Sequence, residues 1–454
     1  MSRTRAVSHS FEASVHPECA SKNIKRRALV PLDLLPGAPM GELMAEAALP
    51  VSRAPTNDVL SLLVVIDNLG DLADAYDSSL ASVVSDVVHT RALSFCGTDA
   101  GIARLAADRF AVVTRKGLRF ENVAAFAGAM TAIGGEPIRV FDIAVLAAVT
   151  VKILRPDVNR FDVAEAVAAH AKAVAERGGA TWGRDYRADM AAAVAGVFAL
   201  REGRLSLAYQ PICRADQPDR VLYWEGLLRI AGADGRVQPA GASILAMERL
   251  RLVRQLDQWV VNRTIDELRT TPEICLGCNI SARSAVLDDG WVSTIARLLK
   301  DTSIASRLIL EVTETAPLPT NEQVRTFVDA MRSLGCRIAV DDFGAGNNSR
   351  HALTSLSLNF VKIDAGCLHR ARVDARWQSC LSDLVGSAAR LAETVIVEGI
   401  ETPSDARLAR EAGAQWLQGY LFGNPSSLRP PSSDPGVKAP CERGGVNGST
   451  PTRA

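Results

Sequence analysis

The sequence predicts an α/β protein in which a C-terminal (β/α)8 TIM-like barrel follows a smaller α/β domain. Two patterns indicate the barrel: from about residue 202, short apolar runs alternate with helical patterns, and a polar residue closes nearly every run. A third observation is a pair of neighbouring carboxylates, Asp341 and Asp342, between the apolar residues 338–340 and a glycine-rich turn. Parallel α/β folds carry their chemistry at such strand ends, so this pair marks the candidate site.

The composition excludes several classes of protein. The 454 residues include 51 basic and 51 acidic side chains, so no overall charge attracts a nucleic acid polymer or an acidic membrane. We expect no membrane span, because no apolar run is long enough. The nine cysteines occur mostly singly, which predicts a reducing, cytoplasmic environment. Cys275 and Cys278 lack a second pair to complete a zinc site, and we interpret them as strand residues.

Composition and periodicity divide the chain into five segments. They are a flexible leader (1–55), a smaller α/β domain (56–182), a helical linker (183–201), the barrel (202–427) and a disordered tail (428–454). The leader and the tail are rich in Pro, Ser and charged residues and show no sustained period. In the linker, Met190, Val194 and Val197 recur at helical spacing, so a helix should join the two folded domains.

The smaller domain shows alternating strand and helix patterns. The predicted elements are a strand at 60–67, a helix from about 72 to 93, two strands folded about a turn within 102–113, a strand near 138–151 and a helix near 163–176. The first strand ends in the carboxylate Asp67, and the turn between the paired strands contains Asp108. This order of elements predicts a compact α/β domain with polar residues at the strand ends.

The paired strands of this domain resemble the signature hairpin of the GGDEF domain of diguanylate cyclases. Where that family has Gly-Gly-Asp-Glu-Phe, this chain has Ala106, Ala107, Asp108, Arg109 and Phe110. Methyl groups in place of the two glycines obstruct close approach of the nucleotide, and a basic side chain replaces the acidic one. We therefore expect a catalytically inactive, degenerate GGDEF-like domain, and whether it binds GTP as a regulator is left open.

In the barrel segment, eight predicted strands end in polar residues. These residues are Gln210, Glu225, Asn279, Glu311, Asp341, Lys362, Glu398 and Gln418. In a (β/α)8 barrel all strand ends meet on one face, so these side chains should converge on one pocket. Carboxylate and amide oxygens favour Mg2+ or Mn2+ over zinc. A cluster of carboxylates with one lysine, joined by Glu401, suits two-metal hydrolysis of a phosphoester.

The adjacent Asp341 and Asp342 allow two interpretations when taken alone. Two neighbouring carboxylates repel each other unless a cation lies between them, which favours a divalent metal site. The alternative is a helix N-cap aspartate with an acidic neighbour. Glu401 has a similar alternative, because a carboxylate in the first turn of a helix is stabilised by the helix dipole.

The barrel segment resembles the EAL domain of cyclic di-GMP phosphodiesterases over about 220 residues. The matching motifs begin at Tyr209 (YQPI), Glu225 (EGLLR), Asn279 (NISA), Glu311 (EVTE), Asp341 (DDFG), Lys362 (KID), Glu398 (EGIE) and Gln418 (QGY). The resemblance implies a metal-dependent phosphodiesterase that hydrolyses cyclic di-GMP to its linear dinucleotide, with a two-metal site for Mg2+ or Mn2+. It also implies a homodimer formed through the barrel.

The resemblance further implies a role for each matching residue. Metal ligands would be Glu225, Asn279, Glu311, Asp341 and Asp342; catalytic residues would be Lys362, Glu398 and Glu401; substrate-binding residues would be Gln210, Arg229 and Gln418; and Glu314 would support the loop after Asp342. Asp341 would bridge the two metals. Lys362 and Glu398 would position or deprotonate the attacking water.

The chain departs from the EAL pattern at two places. The family's Glu-Ala-Leu is Glu225, Gly226 and Leu227 here, which keeps the metal ligand and loses only a methyl group. After Gly346 the family usually has an aromatic residue, whereas this chain has Asn347, a change that could make activity conditional. Two other functions compete with hydrolysis: a receptor that binds cyclic di-GMP without cleaving it, and a signalling scaffold that binds no nucleotide. Retention of the lysine and of every metal ligand favours the enzyme.

Overall fold

A computed structural model of the protein describes residues 61–97, 100–114, 132–154, 181–232, 234–287, 291–313, 321–345 and 353–428. The predicted leader, nearly all of the predicted tail, the helix expected near 163–176, Glu314 and Asn347 lie outside these residues. The described residues form two main sheets, an antiparallel N-terminal sheet and a C-terminal barrel.

Six short strands occur before residue 155 in the described part of the chain. They are β1 (Ser61–Ile66), β2 (Ala100–Ala106), β3 (Arg109–Thr114), β4 (Ile138–Val140), β5 (Ile143–Val145) and β6 (Val149–Leu154). Four of them form the N-terminal sheet in the antiparallel order β2-β3-β1-β6, while β4 and β5 form a separate ribbon. The predicted hairpin is present as β2 and β3. The single strand expected near 138–151 is divided, because Phe141 takes the left-handed conformation (φ 52°) and turns the chain after β4.

Two helices, α1 (Leu69–Ala75) and α2 (Ser78–Cys96), take the place of the one helix expected from Leu72 to Leu93. The division occurs at Asp77, whose extended backbone ends the first helical run and whose side chain accepts a hydrogen bond from Leu80 N. Aspartate is among the residues that most favour such an N-cap. The apolar faces of both helices cover the N-terminal sheet through Leu72, Val84 and Val88.

Helix α3 (Trp182–Arg201) corresponds to the predicted helical linker. It packs on both neighbouring parts of the chain. On one side, the Tyr186 hydroxyl accepts a hydrogen bond from Asn68 Nδ2 at 3.3 Å. On the other side, Asp189 forms an ion pair with Arg249 of the barrel. Because Met190 and Val197 are buried between these contacts, the helix is part of the folded core.

The barrel contains eight strands that close on themselves. They are β7 (Leu205–Arg214), β8 (Val221–Ala231), β10 (Leu276–Ser281), β11 (Leu308–Thr313), β12 (Arg337–Phe343), β13 (Leu358–Ile363), β14 (Ala392–Val397) and β15 (Trp416–Gln418), with β9 (Val237–Pro239) as an extra strand paired to β8. Pairing of β8 with β10 closes the sheet. Six adjacent pairs, from β8–β10 to β14–β15, are parallel.

The first strand corrects the prediction of eight parallel βα units. Strand β7 runs antiparallel to both of its neighbours, β8 and β15. It is followed by a short turn and β8, where the sequence pattern had predicted a helix. Gln210 therefore lies in the middle of β7, paired with Glu225, and does not end a strand. Such a reversal does not change the hydrophobic pattern of a buried strand, so the pattern could not reveal it.

The barrel interior is built in layers. The lower layer is apolar and includes Ile212, Tyr223, Ile309, Ala339, Phe360, Ile396 and Trp416. In the parallel strands, the residue two positions later points the same way and forms the polar layer above, as in Phe360 followed by Lys362. In the antiparallel β7, the polar residue Gln210 comes two positions before Ile212, which brings it to the same level. The reversed strand thus still contributes to the polar layer.

Helices surround the barrel. They are α4 (Gly241–Arg249), α5 (Arg254–Thr270), α6 (Val292–Lys300), α7 (Thr302–Ala305), α8 (Asn321–Ser333), α9 (Ala365–Ala371), α10 (Ala375–Ala388) and α11 (Pro403–Glu411), with a 3-10 turn at Ala282–Ser284. Their buried apolar side chains, such as Phe327 and Leu368, pack on the outward-facing strand residues. None of the helices in the described ranges combines the length and apolar character required to cross a bilayer.

Candidate active site

Lys362 occupies the centre of the polar layer. Its Nζ atom lies 2.9 Å from Glu225 Oε2, 2.7 Å from Glu311 Oε2, 3.3 Å from Asp341 Oδ1 and 2.7 Å from Glu398 Oε1. The side chain is fully buried, with 0% exposure. Five strands therefore bring their polar residues to one point, as the strand-end pattern predicted. A buried ammonium is stabilised here because four carboxylates replace its hydration.

Glu225 is held from several directions. Gln418 Nε2 donates a hydrogen bond to Glu225 Oε2 at 2.6 Å, and Asn279 Nδ2 donates one to Oε1. Gln418 Nε2 also donates to Gln210 Oε1 at 3.2 Å, and Gln210 Nε2 donates to the Gly423 carbonyl at 3.1 Å. These amides fix the carboxylate without adding charge. Gln418 thus supports Glu225 directly and Gln210 supports it through Gln418, and both residues also face the pocket.

The backbone at Asp342 brings two adjacent carboxylates to one side of the strand. Consecutive residues of a regular strand point to opposite faces. Here the pairing of β12 with β13 is irregular between Val340 and Phe343, and Asp342 has a left-handed φ of 57°. As a result, one oxygen each from Asp341, Asp342 and Glu398 lie within 4.8 Å of one another. Aspartate adopts this conformation more readily than most residues, and strained backbone is common at functional sites.

Gly277 makes room for the cluster, and sequence reasoning did not identify it. It lies two residues before Asn279 on the inner face of β10. A Cβ atom at this position would lie 2.0 Å from Glu311 Oε1 and 2.7 Å from the Tyr223 ring. Any side chain here would displace the buried carboxylate. The signal in the sequence was the glycine inside an apolar strand, which often marks a close approach of another group.

Burial and an excess of negative groups together shift the pKa values of the cluster. Burial raises the pKa of Glu311 to about 8, with repulsion from Glu225 and Asp341 adding to the effect and Lys362 opposing it. Burial and repulsion from Asp341 raise the pKa of Asp342 to about 6. Although burial alone would lower the pKa of Lys362, the surrounding carboxylates raise it well above its usual value. Lys362 therefore stays an ammonium.

The same imbalance shows that the residues fit divalent metal ions. One oxygen each from Glu225, Glu311 and Asp341 lie within 4.8 Å of one another, and Asp341 belongs also to the group with Asp342 and Glu398. Two buried oxygens, Glu311 Oε1 and Asn279 Oδ1, have no hydrogen-bond partner among the described residues. Buried acceptors without donors are costly, and oxygen donors of this kind are the ligands of Mg2+, Mn2+ and Ca2+.

A cavity of about 520 Å³ lies above the cluster. Its wall combines apolar residues such as Ile244 and Leu245 of α4 with Tyr420, while its floor is formed by the acidic residues. Cavities of this size hold a small-molecule ligand. The floor can bind metal and hold a polar reacting group, and the wall can contact an apolar or aromatic part of a ligand.

Two of the predicted site residues lie apart from the Lys362 cluster. Glu401 lines the cavity at its rim, where its carboxylate is 44% exposed and lies 3.1 Å from Arg372 Nη2. Arg229 lines a smaller neighbouring cavity, and its Nη1 donates to the Leu228 carbonyl at 3.1 Å. The other predicted site residues in the described ranges converge on the floor.

The protein thus has a closed eight-stranded barrel with one reversed strand and a carboxylate-rich floor. These features are typical of barrel enzymes that bind metal at the strand ends. The sequence profile of the EAL domain matches residues 197–425, about half of the chain. The chain belongs to the EAL domain family. EAL domains are metal-dependent, in agreement with the acidic cluster.

Several relatives of this chain are named cyclic di-GMP phosphodiesterases. The cyclic di-GMP phosphodiesterase NbdA of Pseudomonas aeruginosa is 28% identical over 249 residues, which cover 51% of this chain and 30% of that protein. The cyclic di-GMP phosphodiesterase PA2567 of the same species is 34% identical over 227 residues, covering 48% of this chain and 38% of that protein. The chain thus spans well under half the length of these relatives.

Among solved structures, the one described as "PaMucR Phosphodiesterase, c-di-GMP complex" is 27% identical with a TM-score of 0.46 and covers 50% of this chain and 94% of that one.

Proposed function

We propose that the protein is a metal-dependent phosphodiesterase that hydrolyses cyclic di-GMP to the linear dinucleotide. The observation that carries this proposal is the position of Lys362, whose ammonium contacts Glu225, Glu311, Asp341 and Glu398 on the floor of the cavity. A receptor that only binds the nucleotide has no need of a buried cation among the metal ligands. The names of the relatives support the choice of substrate.

The residues of the floor would divide the chemistry between them. Divalent metal held by Glu225, Asn279, Glu311, Asp341 and Asp342 would neutralise phosphate charge and make water more acidic. Lys362 would orient the attacking water by donating a hydrogen bond, and Glu398, 2.7 Å from Lys362, would accept the proton that the water releases. Burial and repulsion from Asp341 raise the pKa of Glu398 well above its usual value, with Lys362 opposing the effect, so this carboxylate binds a proton more readily than an exposed one.

The proposal includes Mg2+ or Mn2+ as the metal. Every candidate ligand offers oxygen, and none of the cysteines or histidines belongs to the acidic groups found among the described residues. Hard oxygen ligands favour these ions over zinc. Rates of cyclic di-GMP hydrolysis measured with Mg2+, Mn2+, Ca2+ and Zn2+ would identify the ion. Mg2+ and Mn2+ should support turnover.

We also propose that the N-terminal part is an inactive GGDEF-like domain. Arg109 at the critical hairpin position donates two hydrogen bonds to Asp108, at 2.9 and 2.7 Å, so the carboxylate is already paired. Asp67 accepts a hydrogen bond from Thr150 Oγ1 at 2.5 Å. These contacts support the expectation that the hairpin does not catalyse synthesis of cyclic di-GMP.

The proposal also includes a homodimer that forms through the barrel. Two exposed apolar residues support it: Val373 is 84% exposed and Trp377 is 42% exposed, and both lie between α9 and the first turn of α10. Light scattering of the parent and of Trp377→Glu tests the idea. A dimeric parent and a monomeric variant would support it, whereas a monomeric parent at all concentrations would contradict it.

The decisive experiment measures binding and cleavage in the same sample. The purified full chain is incubated with cyclic di-GMP and Mg2+ or Mn2+, and the linear product is quantified by chromatography while binding is measured by calorimetry with Ca2+. Product that disappears on adding EDTA supports the enzyme. Binding without product would identify a receptor, and neither binding nor product would identify a scaffold.

A further inference from the structure

The loop that follows Glu398 is contacted by an arginine at several points, and by the neighbouring His369, whose Nε2 lies 3.4 Å from the Gly399 carbonyl. Arg372, directly after α9, donates from Nε to Asp405 Oδ1 at 2.8 Å and from Nη2 to Asp405 Oδ2 at 3.0 Å. The same Nη2 lies 3.1 Å from Glu401 Oε2 and 3.3 Å from the Gly399 carbonyl. One guanidinium thus contacts three residues between positions 399 and 405. We call Arg372, Glu401 and Asp405 the Arg372 cluster.

Asp405 makes the arginine contact rigid. Its side chain is only 3% exposed, and its Oδ2 also accepts hydrogen bonds from Glu401 N at 3.1 Å and Thr402 N at 2.8 Å. The pKa of Asp405 is lowered because these hydrogen bonds and Arg372 outweigh the effect of burial. A bidentate arginine–carboxylate pair with a buried member fixes geometry better than an exposed ion pair. The loop is therefore anchored where α11 begins.

The opposite side of the loop contacts the neighbouring strand β15. Ile400 N donates to the Gln418 carbonyl at 3.0 Å, and Leu421 N donates to the Ile400 carbonyl at 3.0 Å. Gly419 permits this approach, since a Cβ there would lie 2.1 Å from the Ile400 carbonyl oxygen. The loop is thus held between β15 and Arg372. Its first residue, Glu398, also donates its backbone N–H to the Ile363 carbonyl at 3.1 Å.

We infer that Arg372 is a positioning residue for the proposed hydrolysis, and that Glu401 acts through Arg372 instead of on the substrate. This inference rests on the proposed function. Lys362 is the next-to-last residue of β13, which leads through α9 to Arg372, while Glu398 directly follows β14 and begins the loop that Arg372 contacts. The strands already pair with each other, and the Arg372 cluster adds a second connection between the segments that carry Lys362 and Glu398, whose side chains are 2.7 Å apart.

The test compares Arg372→Gln and Arg372→Lys with the control Arg376→Gln. Arg376 is an exposed arginine on α10, four residues away, so the control removes the same charge from the same surface. Because small misplacements of reacting groups slow catalysis strongly, Arg372→Gln should lower kcat by about tenfold with KM changed by less than about twofold. Arg372→Lys should recover part of the loss, and Arg376→Gln should match the parent.

A second measurement reports on the loop without using activity. Hydrogen–deuterium exchange of the peptide covering residues 398–402 should be faster in Arg372→Gln than in Arg376→Gln, with other barrel peptides unchanged. Combining Arg372→Gln with Asp405→Asn should lower kcat by less than the product of the two single losses, because both changes break the Arg372–Asp405 ion pair. Multiplied losses would contradict the shared role.

The outcomes separate this inference from the proposed function. If the parent hydrolyses cyclic di-GMP and Arg372→Gln matches Arg376→Gln in kcat and in loop exchange, the inference is overturned and the function stands. A lower melting temperature with unchanged kcat would also overturn it, since that identifies a purely structural arginine. If the parent releases no linear dinucleotide, the proposed function falls, and a catalytic role for Arg372 falls with it.

Discussion

The carboxylates at the strand ends have different partners in the N-terminal sheet and in the barrel. In the N-terminal sheet, Asp67 is hydrogen-bonded to Thr150 and Asp108 is paired with Arg109. In the barrel, Glu225, Glu311, Asp341 and Glu398 share one ammonium, that of Lys362. The first region gives each acid a local hydrogen-bond or ion-pair partner, whereas the second keeps an excess of negative charge. Only the second arrangement leaves a demand for divalent cations.

Topology explains much of this difference. The strands of the N-terminal sheet are all antiparallel, so their ends alternate between two edges and few polar groups meet. In the barrel, seven strands run in one direction and their ends meet at one opening, where even the reversed β7 contributes Gln210. Carboxylates can be concentrated in this way only where a fold brings several strand ends together. The comparison therefore links catalytic capacity to strand direction.

The largest effect is expected from removing the shared ammonium. Lys362→Met should reduce hydrolysis of cyclic di-GMP by about two orders of magnitude or more, because it removes the group proposed to orient water and leaves four carboxylates without their shared cation. The surface change Lys300→Met is the matched control and should be neutral. Turnover is measured by product chromatography, with circular dichroism to confirm folding.

A folded Lys362→Met variant with near-parental turnover would contradict the site. If Lys362→Met does not fold, Lys362→Arg provides the test, since it keeps the charge but changes its shape and hydrogen-bonding geometry. A folded Lys362→Arg variant should also lose most of the activity. Full activity in that variant would show that only charge is required at this position.

Part of this site could be predicted from sequence because each inner-face residue ends an apolar run. Glu225, Glu311, Asp341, Lys362 and Glu398 were identified in this way, and they meet in the structure. What could not be predicted depends on geometry outside the run. Strand direction at β7 leaves no trace in hydrophobicity, and a contact such as that between Arg372 and Asp405, 33 residues apart, has no local pattern.

The second prediction concerns Asp342, which brings an adjacent carboxylate into the site. Asp342→Asn should lower turnover by about tenfold or more, because it removes a negatively charged ligand. It should leave the folded structure as stable as the parent, since asparagine also tolerates a left-handed φ. Asp342→Ala is the matched comparison, and it should lose similar activity and also about 1 kcal/mol of stability.

Activity and urea unfolding of the three proteins separate the two effects. Equal stability of the Asn and Ala variants would show that the backbone at this position is not strained. Parental turnover in both variants, with metal at a limiting concentration, would show that Asp342 does not bind metal. Either result would weaken the contrast between the two regions, because that contrast depends on an excess of charged ligands in the barrel.

The third prediction concerns Asp257, a buried barrel carboxylate for which burial outweighs the attraction of Arg254. Asp257 is 5% exposed and accepts a hydrogen bond from Ser281 N at 3.1 Å. Burial raises its pKa to about 7, partly opposed by hydrogen bonds from Ser284 and Ser281. Because the folded pKa lies above the unfolded one, the stability contributed by Asp257 is full at low pH and is lost as pH rises from about 4 to about 7.

Asp257→Asn removes this titration while keeping an oxygen acceptor for Ser281. Between about pH 5 and about pH 8, the parent should lose on the order of 2 kcal/mol of unfolding free energy relative to the variant. Urea unfolding at the two pH values, with EDTA present, measures the difference. A constant difference between parent and variant would show that Asp257 titrates normally. The result would sharpen the comparison by showing that a buried acid outside the Lys362 cluster is accommodated by a proton.

The smallest effect is expected at the N-terminal hairpin. Arg109→Glu replaces the basic residue with an acidic one, but Ala106 and Ala107 still obstruct close approach of a nucleotide, so neither parent nor variant should convert GTP to cyclic di-GMP. The variant loses a partly exposed ion pair with Asp108, which is worth about 0.2–1 kcal/mol, and gains a repulsive neighbour, so the melting temperature should fall slightly. Hydrolysis of cyclic di-GMP by the barrel should change by less than about twofold, because none of the Lys362 contacts involves the hairpin.

Chromatography of GTP reactions and of cyclic di-GMP reactions measures both outcomes on the same preparations. Synthesis of cyclic di-GMP by the parent in any divalent metal would contradict the contrast between the two regions, and a large loss of hydrolysis in a folded variant would show that the hairpin controls the barrel.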